Sequence, residues 1–260
     1  MDKNRLLSLL GQEHSDRLRV FDVIPSTNTY LKENARSLPE GTAVLASGQT
    51  SGKGRLGRYF HSPAGKGVYL SMLLRPLLPP DRLGAVTACA AVAVCDAVEN
   101  ACGTRPGIKW VNDLIMGGRK VCGILAEGTF ADGRMTDIVL GAGVNVLDTP
   151  EDFTEGLSST ATSILMETGL ETDLSALASQ MILAFDRLRH DLPGSEGRYL
   201  ELYRRDSVLL GKEVVFTRGG ASYSGIASRI DDDFALVVET GGGPVRLTTG
   251  EVSVRPAQAL

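Results

Sequence analysis

The chain has 260 residues, of which 43% are hydrophobic and 22% charged, and its formal net charge is −4. These values are ordinary for a folded globular protein and allow one large domain, or a large domain with a small one. The acidic balance disfavours a duplex-binding protein, which usually has a broad basic face. The start of the chain lacks the apolar core of a secretory signal, and the longest apolar run, around residues 85–95, is too short to span a bilayer. We therefore expect a cytoplasmic protein that does not bind membranes.

The cysteines and histidines are not arranged as a metal site. The four cysteines, at positions 89, 95, 102 and 122, include no Cys-x-x-Cys pair. This pattern predicts reduced thiols inside the protein core. The three histidines, at positions 14, 61 and 190, are too scattered to complete a zinc site with those cysteines. We therefore predict no metal held by histidine or cysteine.

Over the first 207 residues, the predicted order of helices and strands is mixed, with hairpins among the helices. A short helix is predicted within residues 1–19 and a strand at Val20–Ile24, after which Ser26 or Thr27 can cap a helix that continues to Ala35. Further strands are predicted at 42–47, 68–74, 108–113 (ending in a polar turn), 121–130 and 135–146, and helices at 84–101, 173–192 and 196–205. Asp132-Gly133 predicts a hairpin between the last two strands. This mixed order favours the α+β class over a doubly wound sheet.

The pattern changes near the C-terminus. Short β-branched runs, separated by glycine and aspartate clusters, are found at 213–217, 222–230, 235–239, 245–248 and 251–255. Short strands at this spacing predict a small closed barrel. We therefore place a domain boundary near residue 207, which divides the chain into residues 1–207 and 208–260.

The most informative segment is SGQTSGKGRLGR at residues 47–58, which contains four glycines and three cations but no acid. Glycine allows the backbone to approach a ligand closely, and lysine and arginine bind phosphate or carboxylate oxygens. The spacing fits neither the P-loop nor the dinucleotide-binding fingerprint. The alternative interpretation is a solvated basic hairpin or a loop that contacts nucleic acid. On the acidic background of this chain, we favour a small anionic ligand.

Three further polar segments accompany this loop: Ser26–Asn28, Lys109–Asp113 and Gly117–Leu125. Each has a simpler interpretation when taken alone. Hydroxyls before a helix are usually caps, Asn-Asp pairs are usually turns, and a lysine beside two glycines is usually solvated. A single tryptophan, here Trp110, is by default a core residue. The functional inference rests on finding the glycine-rich loop and these three segments together, in this order.

Six motifs in this order resemble the biotin protein ligase family. They are STN at 26–28, QTSGKGRLGR at 49–58, SPAGKGVYLSMLLRP at 62–76, KWVNDL at 109–114, GRKVCGILAE at 118–127 and GAGVNV at 141–146. The resemblance implies a mixed-sheet catalytic domain of the biotin/lipoate ligase type, followed by a small SH3-like β-barrel. That barrel would assist ATP or acceptor binding, or dock a partner.

The resemblance also implies a two-step reaction. Biotin and ATP would form biotinyl-5′-AMP, and biotin would then pass to a lysine of a biotin carboxyl carrier domain in a biotin-dependent carboxylase. Mg²⁺ would arrive with ATP, because the sequence contains no carboxylate cluster typical of a dedicated site. The acceptor carboxylase is not identified by the sequence, and a homodimer is left open.

Site residues follow from the motif positions. The resemblance implies catalytic roles for Lys120, Arg55 and Asp113, with Asp113 orienting the acceptor lysine or accepting its proton. Alternatively, Asp113 is a structural partner of a loop arginine. The residues implied for biotin are Ser26, Thr27, Asn28, Gln49, Lys53, Gly54, Arg55 and Lys120. Those implied for ATP or the adenylate are Gly52, Arg58, Trp110, Asn112 and Asn145.

Departures from the family pattern and alternative functions complete the prediction. Lys53 and Phe60 stand where arginine and tryptophan are frequent, which should change at most the affinity for the adenylate. Only 25 residues precede Ser26, too few for the winged helix-turn-helix of ligases that are also repressors, so we expect a monofunctional ligase that does not bind DNA.

A lipoate-type ligase would need a segment such as Arg-Arg-x-Ser-Gly-Gly-Gly, which this sequence lacks. A non-catalytic biotin or nucleotide sensor would not need both Arg55 and Lys120.

Overall fold

The computed structural model describes residues 1–76, 78–131, 134–218 and 220–248, together with the backbone of 254–256. The predicted turn at Asp132-Gly133 and the first three residues of the strand predicted at 251–255 lie outside these residues. Within them, the order of helices and strands agrees with the α+β class.

A mixed sheet forms the centre of the part of the chain that precedes the C-terminal strands. Its seven described strands lie in the order β1-β2-β3-β7-β6-β5-β4. Strands β1 and β2 run parallel, and the other neighbours run antiparallel. The strands are β1 Leu18–Ile24, β2 Ala43–Gln49, β3 Gly67–Leu74, β4 Gly107–Lys109, β5 Asp113–Met116, β6 Arg119–Ala131 and β7 Arg134–Asn145. All residues of β3 are buried, which places that strand at the centre of the core.

Helices cover this sheet. They are α1 Lys3–Leu10, α2 Thr27–Asn34, α3 Leu83–Cys102, α4 Glu155–Ser158, α5 Ile164–Thr168, α6 Leu174–Asp191 and α7 Glu196–Asp206. The alanine- and valine-rich α3 packs against α6, α7 and β6. It is long and apolar enough to pass a membrane-span test, but 78% of that segment is buried inside the protein. It is therefore the central core helix, and small side chains allow its neighbours to pack closely.

The C-terminal strands form a second, antiparallel sheet in the order β11-β10-β9-β8-β12. They are β8 Glu213–Arg218, β9 Ala221–Ile230, β10 Leu236–Thr240, β11 Gly243–Leu247 and β12 Val254–Pro256. Five short antiparallel strands agree with the small β-barrel that the sequence predicts. The buried side chains of this sheet belong to the same hydrophobic cluster as those of α3 and β4.

Three elements were not predicted. The segment predicted as one strand with a polar turn is two strands, because the chain reverses at residues 110–112 and pairs β4 with β5. Gly117 and Gly118, with φ of 53° and 80°, then turn the chain into β6. These backbone angles favour glycine. Helices α4 and α5 are too short to give a clear periodic pattern.

Candidate active site

The first predicted motif lies where β1 ends and α2 begins. Ser26 caps α2, and its Oγ accepts a hydrogen bond of 3.4 Å from the Thr29 N–H. The parallel register places Ile24 beside Gln49 at the ends of β1 and β2. As a result, the Thr27 N–H donates to Gln49 Oε1 at 2.9 Å. The STN motif and the start of the glycine-rich loop are therefore joined directly.

Glycines in β6 and β7 form the floor beneath these polar groups. A Cβ at Gly141 would overlap the side chain of Asn28, and one at Gly143 would overlap the ring of Phe60. A Cβ at Gly123 would crowd both Phe60 and Lys120. Glycine within a strand often marks such a close approach. These three positions lack side chains because other groups occupy the space above the sheet.

The floor and its surroundings line a narrow, partly open recess. Its lining combines hydroxyl and amide groups with a cation and an aromatic ring. Its lining residues are Ser26, Thr27, Asn28, Gln49, Lys53, Phe60, Leu70, Gly123, Leu125, Gly141, Ala142 and Gly143. Five of the residues predicted to contact biotin thus line one recess.

The glycine-rich loop returns on itself as a hairpin beside this recess. The Phe60 N–H donates to the Gly52 carbonyl at 2.9 Å, and the Gly54 N–H donates to the Arg58 carbonyl at 2.7 Å. A Cβ at Gly52 would overlap the Phe60 carbonyl, so close pairing requires glycine there. At the tip, Leu56 has φ of 56° and an exposed side chain. Gly52, Gly54 and Arg58 line a second recess under this tip, next to the first.

Two cations are held by consecutive residues of the turn between β4 and β5. Arg55 donates to Asn112 Oδ1 at 3.1 Å, and Lys120 Nζ lies 2.6 Å from Asp113 Oδ1. Burial lowers the pKa of the Arg55 guanidinium, an effect that the nearby Asp113 opposes, but arginine remains charged at neutral pH. Lys120 also lies 5.9 Å from the centre of the Phe60 ring. Asp113 therefore pairs with Lys120, while the loop arginine bonds to Asn112.

Trp110 and Asn145, which are predicted to contact ATP or the adenylate, are both buried. Trp110 is 5% exposed, and its Nε1–H donates to the Phe234 carbonyl at 2.8 Å. Asn145 is also 5% exposed, and its side chain donates to the Thr162 carbonyl at 2.9 Å. Both side chains are buried and committed to backbone partners. Trp110 joins the turn between β4 and β5 to the C-terminal sheet.

The sequence interpretation did not assign Ser71 and Glu127. Ser71 is fully buried on β3, and its Oγ lies 2.7 Å from Thr27 Oγ1 and 2.5 Å from Asn28 Oδ1. Glu127 accepts a hydrogen bond of 3.0 Å from the side chain of Asn28. A signal for Ser71 existed, because a polar residue in a continuous apolar strand needs a buried partner.

Comparisons with known proteins agree with this arrangement. Residues 20–145 match the biotin/lipoate A/B protein ligase family, and residues 209–255 match the biotin protein ligase C-terminal domain. The bifunctional ligase/repressor BirA of Bacillus subtilis is 33% identical over 235 residues, which are 90% of this chain and 72% of that protein. The biotin–[acetyl-CoA-carboxylase] ligase of Mycobacterium tuberculosis is 32% identical over 244 residues, or 90% of this chain and 88% of that protein.

A solved structure extends the likeness to the fold. The biotin protein ligase from Aquifex aeolicus in complex with biotin and ATP has a TM-score of 0.79 at 25% identity, covering 93% of this chain and 99% of that one. The fold and the matched segments define a ligase of the biotin/lipoate type, and the chain belongs to the biotin/lipoate A/B protein ligase family. The predicted resemblance to biotin protein ligases and the predicted fold class are thereby confirmed.

Proposed function

We propose that this protein is a biotin protein ligase that activates biotin with ATP and transfers it to a lysine of a biotin carboxyl carrier domain. The observation that carries the proposal is the position of Lys120 and Arg55, held by Asp113 and Asn112, near a recess lined by hydroxyl and amide groups. Relatives named as biotin ligases, and the solved complex with biotin and ATP, support the choice of substrates.

The first step joins two anions. A carboxylate oxygen of biotin attacks the α-phosphorus of ATP, an O–P bond forms, and the bond to the β-phosphate breaks to release pyrophosphate. Cations placed at the reacting phosphate stabilise the charge that develops there. We assign this role to Lys120 and Arg55, with Lys53 and Arg58 contributing from the loop. Their side chains are anchored by Asp113 and Asn112 or carried by the hairpin described above.

The second step needs an uncharged amine. The nitrogen of the acceptor lysine attacks the acyl carbon of biotinyl-5′-AMP, the bond to the phosphate oxygen breaks, and AMP leaves. A lysine amine is mostly protonated at neutral pH and must lose a proton to attack. We assign Asp113 to orienting this amine and receiving its proton, since its carboxylate already binds one ammonium group, that of Lys120.

Mg²⁺ would enter the site bound to ATP. Within the described part of the chain, no three acidic, histidine or cysteine side chains meet in a way that could hold a metal ion. The phosphates of ATP would therefore supply the oxygen ligands that Mg²⁺ prefers.

We further propose that residues 1–207 bind biotin and ATP, that residues 208–260 form the C-terminal barrel, and that the protein works in the cytoplasm without binding DNA.

The test is incubation with biotin, MgATP and a biotin carboxyl carrier domain, followed by intact-mass analysis of the carrier. We expect a single biotinyl mass gain that is lost with Lys120→Ala or Arg55→Ala. Lys3→Ala, a change of an exposed lysine on α1, should leave the gain unchanged. A gain with lipoate but not biotin would indicate a lipoate-type ligase. No gain with either would favour a non-catalytic sensor.

A further inference from the structure

A chain of side-chain hydrogen bonds runs from Thr27, on the lining of the recess, through Ser71 and Asn28 to Glu127. Asn28 Nδ2 donates to Glu127 Oε2 at 3.0 Å, and Lys32 Nζ donates to Glu127 Oε1 at 3.2 Å. On its other side, Asn28 Oδ1 meets Ser71 Oγ at 2.5 Å. Glu127 does not line this recess but lines the neighbouring second recess, and the proposed function gives it no role.

The charge of Glu127 determines how Asn28 is oriented. Burial alone would raise the pKa of Glu127, but hydrogen bonds from Asn28 and Lys32 outweigh it and lower that pKa below its usual value. The side chain is therefore an ionised carboxylate at neutral pH, and a carboxylate only accepts hydrogen bonds. Asn28 must turn its NH₂ group to Glu127 and its carbonyl oxygen to Ser71.

This orientation is passed on to two hydroxyl groups. Ser71 has a single hydroxyl proton, and donating it to Asn28 leaves Ser71 Oγ as an acceptor for the Thr27 hydroxyl, 2.7 Å away. The other acceptor within reach of that hydroxyl, Gln49 Oε1, is farther away, at 3.2 Å. The Thr27 oxygen then has only lone pairs left to offer a ligand. At the far side, the Thr27 N–H occupies Gln49 Oε1, so Gln49 Nε2 faces Ser62 at 3.0 Å. One carboxylate therefore sets the direction of the hydrogen bonds from Asn28 to Thr27.

We propose that Glu127 is a positioning residue for biotin, which acts through Asn28 and Ser71 to fix which atoms of the recess donate and which accept. The inference rests on the proposed function, since it concerns biotin in this recess. The cyclic urea of biotin presents one acceptor oxygen flanked by two N–H donors. A site with a fixed pattern of donors and acceptors rejects a ligand with mismatched groups because buried polar atoms are then left unpaired.

The test is Glu127→Gln, which keeps the size of the side chain but can present either an acceptor or a donor to Asn28. Asn28 can then flip and reverse the hydroxyl groups of Ser71 and Thr27. We expect the Kd of biotin alone, by calorimetry, and the KM for biotin in adenylate formation to rise about tenfold to a hundredfold. The KM for ATP, the kcat at saturating biotin and the Tm should stay close to wild type.

Lys32→Gln is the matched control, because it removes the other partner of Glu127 but keeps the carboxylate that orients Asn28. It should change biotin affinity by no more than about threefold. Equal weakening by Lys32→Gln and Glu127→Gln would overturn the proposal, as would normal biotin binding by Glu127→Gln. A wild-type protein that forms no biotinyl-5′-AMP would instead contradict the proposed function.

A double variant tests the direction of the hydrogen bonds. In Asn28→Asp with Glu127→Gln, the amide of residue 127 can donate to the carboxylate at residue 28, whose other oxygen again faces Ser71 as an acceptor. We expect this double variant to bind biotin more tightly than either single variant, since coupled neighbours do not behave additively. Affinity no better than that of Glu127→Gln alone would contradict the argument.

Discussion

Replacing Asp148 by asparagine is expected to stabilise the protein at neutral pH. Asp148 follows β7, is fully buried, and has no hydrogen-bond partner for either carboxylate oxygen among the residues that the structure describes. Burial raises its pKa to about 6 from the usual 3.8, Asp152 adds to the rise, and His61 opposes it. The amide side chain of the Asp148→Asn variant would resemble the protonated acid in shape. Unlike the acid, it stays uncharged at neutral pH.

The pH dependence follows from the two pKa values. Between about pH 4 and pH 6 the unfolded chain loses the Asp148 proton while the folded protein retains it, so folding stability falls as the pH rises. At about 1.4 kcal/mol per pKa unit, the two values of 3.8 and about 6 set an upper limit of about 3 kcal/mol for the loss, which is complete above pH 7. For a protein of this size, each kcal/mol corresponds to about 2–4 °C in Tm.

The assay is urea unfolding of wild type, Asp148→Asn and Asp152→Asn from pH 2 to pH 8. The advantage of Asp148→Asn should be small at pH 4, grow up to pH 7 and then stay constant. Asp152 provides a control of opposite sign, because its hydrogen bonds with Thr149 and Lys66 lower its pKa to about 2. Asp152→Asn should lower stability at neutral pH, with the deficit shrinking as the pH falls from 4 towards 2. An Asp148→Asn profile parallel to wild type across pH 4–7 would refute the reasoning.

Three further outcomes are expected. Asp113→Asn should slow transfer from preformed biotinyl-5′-AMP by about a hundredfold or more, and should slow adenylate formation by a smaller factor, because Lys120 loses its anchor but keeps its charge; equal loss in both half-reactions would assign Asp113 only to holding Lys120. Trp110→Phe should lower the free energy of unfolding by about 1–3 kcal/mol, measured in urea, because the buried Phe234 carbonyl loses its donor; unchanged stability would contradict this. Biotin with ATP should slow tryptic cleavage within residues 48–58, whereas equal rates with and without ligands would show that the loop does not close over them.

Most of the fold could be predicted from the sequence because local patterns determine it. Strands β1, β2, β3, β6 and β7 and helices α2, α3, α6 and α7 begin and end within a few residues of the predicted positions. The short strands after residue 208 were also predicted, since glycine and aspartate clusters separate them. The missed strand, β5, follows a turn rich in strand-forming and polar residues, where the pattern does not show which residue reverses the chain.

The site was predictable where its residues sit in recognisable motifs, and not where they depend on distant partners. The motif resemblance named Thr27, Asn28 and Gln49, which line the recess together. Ser71 and Glu127 lie within the matched motifs too, but their importance comes from hydrogen bonds to Asn28 that span 43 and 99 residues of sequence. Spacing along the chain contains no information about such contacts.

The position of Trp110 shows how the C-terminal sheet contributes to the site. Its indole N–H bonds to the Phe234 carbonyl, and the Tyr203 hydroxyl donates to the Val111 carbonyl at 3.0 Å. The rings of Tyr203 and Phe234 meet edge to face, with centroids 5.6 Å apart. Both hydrogen bonds hold the turn whose next residues, 112 and 113, anchor the two cations. Because buried hydrogen bonds and ring contacts of this kind rigidify the groups they join, we expect the C-terminal sheet and α7 to hold the turn at residues 110–113 in place.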